Sequence, residues 1–319
     1  MVYAMDFEKP LVDLENKLNE LKSLQGAKQK DVADEIIYLE DQLEKLKELI
    51  YSELTPWQII QITRHPSRPR TLDYLNYIFN DFTELHGDRL YHDDPAIVGG
   101  LARFDKTFVM VVGHQKGKNA KSNVHRNFGM PHPEGYRKAL RLFKMAEKFS
   151  LPVVTFIDTP GAYPGVGAEK RGQSLAIAEN VKELSMLNTV VISVNIGEGG
   201  SGGALALSVG DALIMLENSY YSVASPEACA SILWHDETKA PKAAEELNLT
   251  SKDLIKLGIV DEIVTEPLGG AHRDPDEVYY HLRNTLKKHI NKLKKSKIED
   301  VKKKRWERIR AFGNFSEEK

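Results

Sequence analysis

Five glycines fall within seven residues of the stretch Ile196-Gly-Glu-Gly-Gly-Ser-Gly-Gly-Ala-Leu-Ala-Leu207. Upstream, Thr189-Val-Val-Ile-Ser-Val-Asn195 reads as a buried strand; downstream, residues 204–209 read as the start of a packed helix. Glycine at a strand-to-helix turn permits φ > 0 and lets a bound molecule approach the backbone closely. Amides at a helix start have no intrahelical acceptor and lie in a partly positive field. Such a turn can hold an oxyanion or a phosphate. A second turn of the same kind, Asp158-Thr-Pro-Gly-Ala-Tyr-Pro-Gly165, ends the preceding apolar run and offers amides at Gly161 and Ala162.

The glycine stretch satisfies three chemical templates. Gly197, Gly199 and Gly202 have the spacing of a dinucleotide fingerprint, with Glu217 about 20 residues on. Gly199-x-Ser201-x-Gly203 fits a nucleophile elbow, with Asp261 and His272 downstream in hydrolase order. The third template uses only backbone N–H groups. Two amide-presenting turns on consecutive strand ends suit a substrate that develops charge on carbonyl oxygens, and neither turn carries a histidine or lysine. That favours electrostatic stabilisation by peptide groups over side-chain acid–base work. No P-loop spacing is present.

The elements that position these turns follow from periodicity. Strands are expected at 96–104 and 107–113 with a tight turn at Asp105-Lys106, then at 152–158, 189–195, 211–217 and 259–264. Helices are expected at 71–85, 133–149 and 172–187, after Ser225-Pro-Glu227, and from a capping-box-like start at Thr250-Ser-Lys-Asp253. Alternating strands and helices predict an α/β fold with a largely parallel sheet. Before them, Leu11, Leu14, Leu18, Leu21 and Ile36, Leu39, Leu43, Leu46, Ile50 predict an antiparallel helical hairpin with a bend at 25–30. It is either packed on the chain's own core or an arm that docks a partner. His65-Pro-Ser-Arg-Pro-Arg70 is a linker, because two prolines break a helix. Three regions result: a hairpin arm at 1–63, a central domain at 71–275 and lysine-rich helices at 276–319. The lysines of the last region either grip phosphate or nucleic acid or, as is commoner, form a solvated helix face.

The net charge of −2 gives no global field for nucleic acid or an anionic membrane. Cys229 is the lone cysteine, so neither an internal disulfide nor a cysteine-built zinc site is available, and a cytoplasmic location is expected. No signal peptide or 18-residue apolar run is visible.

Longer blocks narrow the choice. Glu84-Leu-His-Gly-Asp-Arg89, residues 126–141 (from Arg126-Asn-Phe-Gly-Met-Pro-His132), Phe156 to Gly165, Ile196 to Leu205, Tyr221-Ser-Val-Ala-Ser-Pro-Glu227 and Glu266-Pro-Leu-Gly-Gly-Ala-His272 together resemble the carboxyltransferase alpha subunits of bacterial acetyl-CoA carboxylase. The resemblance covers residues 1 to 275. It implies a crotonase-like (ClpP/crotonase) superhelix of stacked β-β-α units. It also implies transfer of CO2 from carboxybiotin, on the biotin carboxyl carrier protein, to acetyl-CoA, giving malonyl-CoA for fatty acid synthesis. The implied partners are a beta subunit in an alpha2beta2 assembly, the carrier protein and biotin carboxylase. Zinc is expected on the beta subunit and no metal on this chain.

The same resemblance assigns one oxyanion-supporting amide pair to Gly202 and Gly203 and a biotin-side pair to Gly161 and Ala162. Losing one such donor typically costs about 3–4 kcal/mol in the barrier. Glu198 either orients biotin or ends a strand. Tyr163 and Phe128 either flank the biotin ring or pack in the core. Arg126, Lys116 and Lys118 either attract CoA phosphates or form an exposed basic loop. His86, His125, His132 and His272 read as hydrogen-bonded loop residues, and Ser201 as a small capping residue unless it is a nucleophile.

Overall fold

The apolar runs between residues 97 and 264 become strands of one mixed sheet. The computed structural model describes residues 4–24 and 30–313. Within them the strands are β1 (Asn80–Glu84), β2 (Ile97–Phe104), β3 (Thr107–His114), β4 (Val153–Thr159), β5 (Val191–Gly200), β6 (Ala212–Leu216), β7 (Tyr220–Ser222) and β8 (Glu262–Val264). Their order is β1-β2-β3-β4-β5-β6-β8, and β7 pairs with the end of β5. β1, β2 and β3 are antiparallel neighbours, whereas β3, β4, β5, β6 and β8 run parallel. Every residue of β4, β5 and β6 is buried, as apolar runs covered on both faces must be.

The helices are α1 (Lys9–Leu24), α2 (Lys30–Tyr51), α3 (Pro56–Thr63), α4 (Thr71–Ile78), α5 (Ala120–His125), α6 (Pro133–Lys148), α7 (Val166–Lys170), α8 (Gln173–Met186), α9 (Ser201–Ser208), α10 (Pro226–Trp234), α11 (Ala240–Glu246), α12 (Ser251–Lys256), α13 (Pro275–Leu293) and α14 (Ile298–Arg310). Side chains alternate between the two sheet faces, so Val154 and Phe156 join Tyr74, Leu75 and Leu282 of α4 and α13. Val153 and Ile157 instead join Leu142, Leu184 and Leu207 of α6, α8 and α9. This period of two is what a strand between two helical layers requires.

The seam residues Leu11, Leu14, Leu18, Leu21, Ile36, Leu39, Leu43, Leu46 and Ile50 fall in one cluster with Tyr51 and Ile62. The arm therefore buries its seam largely within itself and meets the body at its foot. The expected bend at 25–30 lies almost wholly outside the described residues. The helix expected at 71–85 is corrected: it stops at Ile78, Phe79 turns extended, and Asn80–Glu84 pairs with β2 as an edge strand. Asn80 and Asp81 are weak helix formers, and Asp81 takes φ +53. The last predicted strand shortens to Glu262–Val264.

The lysine-rich end is anchored by a residue that the charge pattern concealed. Arg305 is buried, pairs with Asp211, and donates to the carbonyls of Leu184, Leu187 and Thr189. No helix among the described residues is long and apolar enough to cross a membrane.

Candidate functional site

β3, β4 and β5 lie side by side and parallel, so their carboxyl ends deliver residues 114–116, 158–162 and 197–203 to one edge of the sheet. The glycine stretch is not a loop. β5 runs on through Gly200, α9 starts at the next residue, and Ser201 makes the reversal with φ +52. The glycines of β5 are needed for close approach. A Cβ at Gly197 would lie 2.3 Å from Asp158 Oδ1, and one at Gly200 would lie 2.1 Å from the Pro160 carbonyl oxygen. A Cβ at Gly203 would lie 2.6 Å from both Ala162 N and the Gly161 carbonyl carbon. Gly202 is open, with Ile177 the nearest neighbour at 3.7 Å.

The two amide-presenting segments therefore touch. The first turn of α9 has no side-chain cap, so no capping side chain takes up its leading N–H groups. In the facing turn Gly161 has φ +152. Its N–H donates to Thr159 Oγ1 at 3.1 Å, while the Thr159 hydroxyl donates to the Gly161 carbonyl at 2.7 Å. Gly202, Gly161 and Ala162 are partly exposed and Gly203 is buried. Beneath them the Tyr136 hydroxyl is buried without a hydrogen-bond partner, and the His114 ring is buried against the Gly203 and Phe156 backbone. Burial drives the His114 pKa down to about 4, so it is neutral at ordinary pH.

A buried charge cluster underlies this seam. Lys116 Nζ donates to Asp158 Oδ1 and to Glu198 Oε2, both at 2.6 Å. Asp158 also accepts from the Glu198 backbone N–H at 3.1 Å and pairs with Arg70 at 3.4 Å. Glu198 Oε1 accepts from Arg64 Nε at 2.8 Å and from the Tyr220 hydroxyl at 2.7 Å. Arg64 continues to Glu227 at the start of α10. Burial alone would raise both carboxyl pKa values. The adjoining cations outweigh it, Lys116 and Arg70 at Asp158 and Lys116 and Arg64 at Glu198, and both groups stay below the ordinary carboxylate range. Lys116 is thus no exposed phosphate-binding lysine, because only 7% of it reaches solvent. Lys118 is exposed and pairs with Asp73.

The loop before α6 lies on this cluster. Asn127, Phe128 and Gly129 take φ +48, +54 and +78 in succession. Such backbone costs about 1–3 kcal/mol per non-glycine residue and gathers at functional sites. Phe128 is 52% exposed. Arg126 turns away to donate to the Pro95 carbonyl at 2.7 Å. Tyr163, next after Ala162, packs its ring 4.2 Å from that of His132. On the other side of Gly202 opens a largely apolar cleft of about 390 Å3, walled by Leu205, Tyr221, Val223, Leu254, Leu257 and Ile259.

The side-chain alternatives are not assembled. Asp261 pairs with Arg308, and His272 stacks on His65 at 3.7 Å, so no hydrolase triad forms with Ser201. Gly197 and Gly199 are strand residues, and Glu217 accepts from the Glu266 backbone N–H, so the dinucleotide fingerprint lacks its turn. Among the remaining histidines, His86 contacts Asp93 and His132 lies near Arg171. Among the described residues no group of three His, Cys, Asp or Glu could hold a metal ion.

Sequence reasoning missed Asp158, Arg64, Arg70 and Tyr220 as members of the site. The available signal for Asp158 was a charged residue directly after an apolar run, where parallel strands open to ligands, whereas Arg64, Arg70 and Tyr220 carried no such signal.

A family model described as acetyl co-enzyme A carboxylase carboxyltransferase-like matches residues 4–313. Acetyl-coenzyme A carboxylase carboxyl transferase subunit alpha of Geobacter metallireducens is 53% identical over 99% of this chain and 99% of its own. That of Dichelobacter nodosus is 56% identical over 98% of each. Among solved structures, transcarboxylase 12S bound to methylmalonyl-coenzyme A aligns with TM-score 0.55 at 20% identity, over 69% of this chain and 41% of that one. The beta subunit of Pseudomonas aeruginosa geranyl-CoA carboxylase aligns with TM-score 0.56 at 14% identity, over 77% and 46%. A Pseudomonas malonate decarboxylase hetero-dimer aligns with TM-score 0.53 at 16% identity, over 63% and 82%. The structural likenesses establish the crotonase-like fold, and the whole-length sequence matches establish the rest: the chain belongs to the carboxyltransferase alpha-subunit family of acetyl-CoA carboxylase.

Proposed function

We propose that this chain works as the alpha half of a two-subunit carboxyltransferase, passing CO2 from carboxybiotin on its carrier protein to acetyl-CoA and releasing malonyl-CoA. The observation that carries this reading is the contact between the 159–162 turn and the 197–203 segment. That close approach of the two segments at one edge of the sheet supports the reading. Biotin, when bound, supplies the CO2 and a ureido nitrogen able to take the methyl proton of the thioester. This chain's residues hold charge. One pair of amides, Gly161 and Ala162, supports the ureido oxygen, with Gly161 exchanging its Thr159 hydroxyl partner for the ligand. The other pair, Gly202 and Gly203, supports the thioester oxygen as its α-carbon becomes a nucleophile. Fixed peptide dipoles need no reorganisation as the charge grows. The cleft beside Gly202 is within the size range of small-molecule sites and takes an apolar body. Phe128 and Tyr163 flank the biotin ring, and Glu198 acts from below by fixing the strand.

The partner is a beta subunit that carries the zinc ribbon and most of the CoA pocket, in an alpha2beta2 assembly fed by biotin carboxylase in the cytoplasm. Residues 1–63 act as the arm, 71–275 as the transferase body and 276–319 as its clasp. The test is reconstitution. The purified chain alone is expected to form no malonyl-CoA, and adding the beta subunit restores formation. Activity of the isolated chain, or inactivity of a folded alpha–beta complex, refutes the proposal.

A further inference from the structure

We propose that Lys116 is a positioning residue for carboxyl transfer, one side chain that sets the spacing of all three ligand-facing segments. The inference rests on the function proposed above. Three contacts carry it. The Lys116 ammonium lies 2.6 Å from Asp158, the residue before the Thr159–Ala162 turn. It lies 2.6 Å from Glu198, inside the glycine stretch that leads to Gly202 and Gly203. Its methylene stem supports the third segment: a Cβ at Gly129 would lie 2.6 Å from Lys116 Cγ, so the strained loop presenting Phe128 rests directly on this side chain.

No other side chain of the cluster joins all three. Arg64 grips Glu198 and Glu227 from the end of α3 and Arg70 grips Asp158 from the start of α4, so neither reaches both Asp158 and Glu198. Lys116, Arg64 and Arg70 balance Asp158, Glu198 and Glu227 in number. Removing the ammonium leaves two buried carboxylates facing each other, and their repulsion separates the ends of β4 and β5. A misplacement of about 1 Å at reacting groups costs on the order of 100-fold in rate. A hub that never touches substrate changes turnover and leaves substrate affinity nearly alone.

The experiment uses the alpha–beta complex, with malonyl-CoA formation measured for wild type, Lys116→Met, Glu198→Gln and Lys148→Met. Lys116→Met is expected to lower kcat about 100-fold with KM for acetyl-CoA changed less than about threefold. Glu198→Gln, isosteric and still able to accept from Tyr220, is expected to lower kcat about tenfold with KM likewise kept. It serves as the test should Lys116→Met fail to assemble. Lys148→Met, at the exposed end of α6, is expected to match wild type. A wild-type complex without activity would overturn the proposed function itself. With wild type active, kcat within threefold for an assembled Lys116→Met or for Glu198→Gln overturns the positioning role, and so does a loss confined to KM.

Discussion

Substituting Gly203 by alanine adds one methyl group and removes no amide. In the folded chain that methyl would lie 2.6 Å from Ala162 N and the Gly161 carbonyl carbon and 2.9 Å from the Tyr136 hydroxyl. Going from 2.6 Å to the 3.4 Å of ordinary contact requires the two turns to part by about 0.8 Å. Both neighbours on the turn are backbone, so neither can swing aside. If the seam holds developing charge, that shift should slow transfer by about 100-fold, equivalent to about 2.7 kcal/mol of barrier. Alanine in place of helical glycine gains about 1 kcal/mol of propensity, which offsets part of the strain. Turnover should therefore fall far more than the melting temperature. The assay is malonyl-CoA formation by the alpha–beta complex beside thermal melting of the same samples. Gly202→Ala, with 3.7 Å of clearance, is the packing control and should melt at or above wild type. A Gly203→Ala complex within threefold of wild-type kcat would refute the reasoning.

Further tests reach other parts of the account. Ser201 is exposed, left-handed and without a basic partner, so Ser201→Ala should keep activity within about threefold and Ser201→Gly should raise stability by about 1 kcal/mol, the cost of a left-handed side chain. A loss beyond 100-fold in Ser201→Ala would instead favour a nucleophile. Arg305→Ala leaves Asp211 and three carbonyls buried without their partner, so urea unfolding should show a loss of about 3–5 kcal/mol and proteolysis should open residues 294–297 first. His114 refuses, when folded, a proton that the unfolded chain accepts below about pH 6.5. Stability should thus be full above that pH and fall by up to about 3 kcal/mol as pH drops toward 4, with His114→Gln flattening the slope in urea titrations at pH 7.5 and 5. Asp158 and Glu198 act in a lower window, their stabilisation being lost only as pH falls below about 4.

The strands and most helices were legible because their burial is periodic. Val153 to Ile157 alternates between two helical layers, and the hairpin seam repeats every three or four residues. The segment at 80–84 was not legible as a strand, since its pattern follows the edge of β2 rather than any pattern of its own. The glycine stretch was found, but its physical reason was only half visible. Positive φ is needed at Ser201, whereas Gly197, Gly200 and Gly203 are glycines because another turn crosses them, a contact about 40 residues away in sequence. The charge cluster was hidden for the same reason. Arg64, Lys116, Asp158, Glu198 and Glu227 come from five separate elements, and each alone resembles a surface charge.

The most direct measurement is a structure of the alpha–beta complex with a carboxybiotin analogue and acetyl-CoA bound. The account predicts the ureido oxygen about 2.7–3.1 Å from amides of one segment, and the thioester oxygen equally close to amides of the other. Ligand oxygens held instead by side chains, or lodged at another edge of the sheet, would contradict it.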